Sequence, residues 1–115
     1  MCAWVNSLKA SSDFQRVSRL GRKCVFPAFI MLALRREGEE ASFRLGLTVS
    51  RKVGNAVVRN RAKRRLREAA RQCLLTDKSG GFDIVLIGRA SAKERDFSLI
   101  KQDFLKGMER LGMTA

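Results

Sequence analysis

Residues 43–71 read FRLGLTVSRKVGNAVVRNRAKRRLREAAR, and three local patterns follow one another along this stretch. Phe43, Leu45, Leu47 and Val49 alternate with Arg44, Gly46, Thr48 and Ser50, the period-two signature of a half-buried strand. Gly54 permits a tight backbone turn, and Asn55 stands where it can cap a helix. The period then becomes helical. Stepping about 100° per residue places Val58, Leu66, Ala69 and Cys73 within roughly 40° of Ala62, while Asn60, Lys63, Arg64, Arg67 and Arg71 lie on the far side. Arg59 and Arg65 fall on the shoulders, where long side chains can bury their stems and still present guanidinium groups. A strand therefore leads through a turn into a helix that packs on one face and carries charge on the other, ending near Cys73 or Leu74.

Nine of the twenty-one residues from Arg51 to Arg71 are Lys or Arg, and only Glu68 is acidic. A helix that merely stays soluble interleaves both signs, because i,i+4 pairs of opposite charge support it. Crowding of one sign costs stability unless an anionic partner relieves it. Of the net charge of +13, residues 51–71 supply +8 and residues 1–23 supply +4. Such a field attracts nucleic acid or an anionic membrane surface. The longest uncharged apolar stretch, Cys24 to Leu34, is far short of the roughly twenty residues that a spanning helix needs.

The flanking sequence completes one domain of 115 residues, a size sufficient for an independent core. Ser12-Asp13 offers an N-cap for a short helix with Phe14, Val17 and Leu20 on one face and Gly21 as terminator. A short edge strand is expected at 23–26 and a second strand from about Ala28 to Leu34, because Pro27 lacks an N–H and cannot sit within a ladder. Arg35 to Ser42, with Gly38 and three Glu, reads as a polar hairpin loop. Beyond the basic helix, the loop Thr76 to Gly81 leads into Phe82–Gly88, a nearly continuous apolar run of the interior-strand type. Phe97, Ile100, Phe104, Met108 and Leu111 then recur at helical steps. The sum is an α/β (α+β) two-layer sandwich: three helices on a small four-stranded mixed sheet, in the order α-β-β-β-α-β-α.

The ordered run Arg59-Asn60-Arg61-Ala62-Lys63-Arg64-Arg65-Leu66-Arg67-Glu68, preceded by Lys52-Val53-Gly54-Asn55-Ala56-Val57, resembles the signature helix of the protein subunit of bacterial ribonuclease P. The resemblance extends over about residues 8–111, densely at 45–71. It implies a single RNA-binding domain with an ordered core at about 8–111. It also implies a left-handed strand–helix–strand crossover, where patterning and the general rule would suggest a right-handed one. The family's RNA-facing positions fall on Lys52, Arg59, Asn60, Arg61, Lys63, Arg64, Arg65, Arg67 and Arg71. Phe14 reads as core on periodicity alone; the resemblance implies that Phe14, Val17 and Arg44 belong to a cleft receiving the single-stranded 5′ leader of precursor tRNA. Many relatives carry a second aromatic residue four positions on, where this chain has Ser18.

No residue set in the chain suits phosphodiester hydrolysis. There is no His, no serine-nucleophile motif, no carboxylate cluster of metal-site spacing and no phosphate-loop glycine pattern. The resemblance assigns catalysis to the RNA subunit, with Mg2+ bound chiefly by that RNA and the substrate. The implied partners are ribonuclease P RNA and precursor tRNA, with no membrane and no obligate protein partner. MCAWVNSLK lacks the pattern of a secretory signal, and Cys2, Cys24 and Cys73 read as free thiols or small apolar residues without zinc spacing, so a reduced, cytoplasmic protein is expected. The alternative is a structural RNA-binding protein of ribosomal type, which shares the size, basicity and architecture. A DNA-binding role is disfavoured because no turn–helix pair suited to a major groove precedes the basic helix.

Overall fold

A computed structural model of the chain describes residues 5–7, 11–35, 43–75 and 81–112. The elements run β1 (Val5–Ser7), α1 (Ser11–Leu20), β2 (Arg22–Val25), β3 (Phe29–Arg35), β4 (Phe43–Val49), α2 (Ala56–Leu75), β5 (Phe82–Gly88) and α3 (Phe97–Arg110). All five strands form one mixed sheet in the order β1-β4-β5-β3-β2. The four expected strands and three helices are present in the expected order. To them the structure adds β1, three residues paired parallel to β4 from Val5 opposite Phe43 to Ser7 opposite Leu45. So short a strand leaves no periodicity to read. Two 3₁₀ turns, Arg51–Val53 and Ala90–Lys93, precede α2 and α3. Of the expected loops Arg35 to Ser42 and Thr76 to Gly81, residues 36–42 and 76–80 lie outside the described residues, while Arg35 ends β3 and Gly81 immediately precedes β5.

β5 is the central strand because it has apolar side chains for both faces. It pairs parallel with β4 (Leu45 opposite Ile84, Leu47 opposite Leu86) and antiparallel with β3 (Met31 opposite Leu86, Ala33 opposite Ile84). Ile84 and Leu86 point to the main core, where Ala62, Leu66, Ala69, Ala70, Cys73 and Leu74 of α2 meet Ile100, Phe104 and Met108 of α3. Val85 points the other way, into a smaller cluster with Leu32 and Val17 of α1, flanked by Phe14, Leu34 and Ile87. Two helices thus cover one face and α1 the other.

The hand of the β4–α2–β5 crossover follows from these contacts. Arg89 N donates to Ala28 O at 2.8 Å, so odd-numbered residues of β5 direct their amides at β3 and even-numbered ones at β4. Ile84 and Leu86, which are even, face α2. For L-residues viewed from the side-chain side with the strand running upward, the amide and carbonyl point right. Seen from α2, β4 therefore lies to the right of β5, and the chain steps leftward through the helix. The crossover is left-handed, against the usual rule.

Two contacts lock α2 in place. The Arg65 guanidinium reaches back to the segment before α3, donating to Ala92 O at 2.7 Å and to Arg95 O; Arg95 in turn pairs with Asp103 of α3 at 3.1 Å. Near the far end, Cys73 Sγ donates to Lys101 O of α3 at 3.7 Å. Replacing Arg65 by Ala is expected to cost about 2–3 kcal/mol, since two part-buried carbonyls lose a charged donor. Arg64→Ala, on the exposed face, should stay within about 0.5 kcal/mol. Urea melts of the two variants check the difference, and equal stabilities would contradict the role given to Arg65.

Burial pushes the Cys73 thiol up to about 11. In the unfolded chain a thiol ionises near its ordinary value of about 8.5. Between those values the unfolded state releases a proton that the folded state keeps, so this group favours unfolding increasingly as pH rises from about 9 to 11. In urea melts at pH 8 and pH 10.5, Cys73→Ala should lose less stability than the parent, by on the order of 1–2 kcal/mol. Parallel pH profiles would show that Cys73 carries no such linkage.

Candidate nucleic-acid interface

α2 begins where the sequence places it. Asn55 Oδ1 accepts from Val58 N at 3.0 Å, satisfying one of the free donors of the first turn. Gly54 before it has φ 157°, and a Cβ there would lie 2.8 Å from Val58 Cγ1, so the turn requires glycine. Ala62, Leu66, Ala69 and Cys73 are buried and Val58 is half-buried, as the helical stripe requires. The opposite face presents Asn60, Arg61, Arg64, Arg67 and Arg71 exposed, with Arg59 and Lys63 half-buried at its margins; Lys52 is exposed in the 3₁₀ turn ahead of the helix.

The two shoulder arginines differ from the rest. Arg65 is turned inward onto two carbonyls, and Arg59 Nε is buried without a hydrogen-bond partner among the described residues. Arg71 is exposed but bonded to Glu68 at 3.2 Å. Hydrogen bonds from Arg71 and Gln72 hold the Glu68 carboxyl below its usual value, so the helix's only acid is neutralised by its own neighbours. Lys52, Arg61, Lys63, Arg64 and Arg67 make no ion pair among the described residues. Several cations lie in the first half of the helix, near the positive end of its dipole, with no acid in the first turn. That arrangement is unfavourable for an isolated helix and favourable for binding an anion.

On the other face of the sheet, Phe14 of α1 is half-buried against β4. Beside it, Phe14, Gln15, Ser18 and Arg19 line an open depression of about 440 Å³. These are two i,i+4 pairs on one side of α1, so the helix itself forms a wall. Val17 is wholly buried and supports that wall from beneath, with Leu32 and Val85. Arg44 lies on the same face of β4, two residues from the Gly46 that Phe14 covers. Its guanidinium makes a two-pronged bond with Asp83 of β5, Nε to Oδ1 at 2.7 Å and Nη2 to Oδ2 at 2.6 Å. Asp83 is 1% exposed and Arg44 29%, so the pair joins the two parallel strands on the face that α1 covers. Gln15 and Arg19 escape sequence reasoning because the signal that finds them is their position next to Phe14 once α1 is docked.

Among the described residues no group of three or more His, Cys, Asp or Glu side chains comes together to hold a metal ion. Three of the described acids serve the fold: Asp83 binds Arg44, Asp103 binds Arg95, and Asp96 caps α3 by accepting from Ser98 N at 2.9 Å. Among the same residues no helix is long and apolar enough to cross a membrane.

The family described as Ribonuclease P matches residues 4–112. The ribonuclease P protein component of Paramagnetospirillum magneticum is 46% identical over 115 residues, covering 97% of this chain and 86% of its own length. That of Brevibacillus brevis is 39% identical over 103 residues, covering 90% and 80%. Among solved structures, the RNase P protein of Thermotoga maritima superposes with a TM-score of 0.76 at 29% identity, over 91% of this chain and 96% of that one. The Staphylococcus aureus RNase P protein gives 0.72 at 31% identity, over 92% and 94%. Sequence similarity along nearly the whole chain, joined to a common fold, separates it from the ribosomal type: the chain belongs to the ribonuclease P protein family.

Proposed function

We propose that this chain, as the protein subunit of ribonuclease P, binds the enzyme's RNA subunit through the cationic face of α2 and the 5′ leader of precursor tRNA through the depression beside α1. The observation that carries this reading is the segregation on α2: one face is packed into the core, and the other holds exposed cations, of which Arg61, Arg64 and Arg67 have no acidic partner among the described residues. Lys52, Asn60, Arg61, Lys63, Arg64 and Arg67 form the centre of the RNA-binding surface, with Arg59 and Arg71 at its margins. Arg65 contributes by fixing the helix. Each lysine or arginine that displaces a counterion from a phosphate adds affinity that falls with salt. On the second surface, the part-exposed ring of Phe14 offers a sequence-tolerant stacking platform, and Arg19 at the rim of the depression supplies a charge for the backbone.

The described residues do not fit a magnesium site of their own, and they include no constellation that would activate water. Hydrolysis on this reading belongs to the RNA subunit, whose magnesium ions supply the metal-assisted chemistry. The protein's part is to offset phosphate repulsion and to hold the leader, working in the cytoplasm where precursor tRNA is processed.

Leader release from labelled precursor tRNA tests the division of labour. The protein alone should not cleave; added to a bacterial ribonuclease P RNA it should stimulate most at low magnesium, with the effect fading as magnesium rises. Replacing Arg64 and Arg67 together by Ala should move the magnesium dependence toward that of RNA alone and make the salt slope of RNA binding shallower by up to about two units. Cleavage by protein alone, or no stimulation at low magnesium, would overturn the assignment.

Phe14→Ala separates the second surface from the first. It should weaken binding of leader-bearing precursor by about 1–3 kcal/mol while leaving mature tRNA unaffected. A large fall in melting temperature with no leader-selective effect would instead make Phe14 a packing residue.

A further inference from the structure

Gly46 is buried on the α1 face of β4 because the ring of Phe14 comes down upon it. A Cβ at Gly46 would lie 2.6 Å from Phe14 Cζ and 3.0 and 3.2 Å from Cε1 and Cε2. The ring therefore enters, tip first, a notch that exists only because residue 46 has no side chain. Carbon atoms in ordinary contact stand about 3.5–4.0 Å apart, so any larger residue at 46 must lift the ring by roughly an ångström. What yields is the far end of a side chain, so the pairing of β4 with β5 need not change. The same ring borders the depression lined with Gln15, Ser18 and Arg19. Ser18, one turn further along α1, supplies no second ring there.

We propose that Gly46 is a positioning residue of the leader cleft: its missing side chain sets the depth at which the Phe14 ring stands, and with it the level at which a leader base stacks. This rests on the reading of the α1 depression as the leader's path. A displacement of about 1 Å at a binding surface can change its effectiveness by an order of magnitude or more, and here the displaced group is the stacking platform itself.

The test is a double-mutant cycle on the complex reconstituted with ribonuclease P RNA. Affinities for precursor tRNA with a single-stranded leader and for mature tRNA are measured with the parent, Gly46→Ala, Phe14→Ala and the double variant. Gly46→Ala should weaken leader-bearing substrate about five- to tenfold and leave mature tRNA unchanged. In the Phe14→Ala background the same change should add nothing, because no ring remains to be lifted. A further loss there as large as in the parent would overturn the proposal, as would leader affinity unaltered by Gly46→Ala alone. Absence of a leader-selective loss from Phe14→Ala sinks the cleft reading and this proposal with it; such a loss unaccompanied by one from Gly46→Ala sinks this proposal only. If Gly46→Ala unfolds the protein, adding Phe14→Ala should restore folding, and failure to restore it also overturns the seating of the ring.

Discussion

The rotation of α2 about its own axis governs the rest of the molecule. The helix has one narrow stripe that can be buried, Ala62, Leu66, Ala69, Ala70, Cys73 and Leu74, and cations nearly everywhere else. Turning it by one residue would bring arginine or lysine against the sheet, and an unpaired buried charge costs several kcal/mol. Small residues in the stripe let the helix lie close to the strands. The closeness is visible at Gly88, where a Cβ would stand 2.7 Å from Val49 Cγ2 and 3.3 Å from Leu66 Cδ1. The packing that builds the core is therefore the same packing that aims the charges outward.

The sheet then divides the two proposed tasks between its faces. α2 covers one face and α1 the other, so a large RNA on the cationic helix and a single strand beside Phe14 need not compete for surface. β5 makes this possible, with side chains buried on both sides. The Arg44–Asp83 pair lies on the α1 side of the two parallel strands and is largely desolvated. Such a pair is weak support for stability as a whole but strongly penalises the loss of either member. Its two-pronged geometry also fixes where Arg44 can point, which makes it a rigid feature of the α1 face.

Like charges crowded at the dipole-positive end of a helix are tolerated here because tertiary contacts support the helix from below. Asn55 caps its start, Arg65 ties its middle to the segment before α3, and Cys73 meets the Lys101 carbonyl near its end. The free protein thus holds in one array a set of cations whose mutual repulsion phosphates would relieve.

Much of this was legible in the residues. The alternation in Phe43–Val49, the cap at Asn55, the stripe of α2, the interior character of β5 and the helical steps of α3 are local patterns of period two or 3.6, which a chain displays before it folds. The cationic face was legible for the same reason. Patterning carries no information about the partner of a given side chain. Arg64 and Arg65 are neighbours of identical chemistry, yet only one meets Ala92 and Arg95, since those carbonyls arrive from a segment almost thirty residues away. Val17 and Phe14 share a helical face, but docking buries the first and leaves the second half-exposed above Gly46. Gly46 itself read as a polar-face position of a strand, and its role as a seat came only with α1. The left-handed crossover likewise depends on which edge of β5 receives β4. The sequence by itself determined the elements and the sign of their surfaces; the tertiary structure decided which cations stand exposed without an ion pair among the described residues and where the depression beside α1 opens, because both depend on contacts between residues distant in the chain.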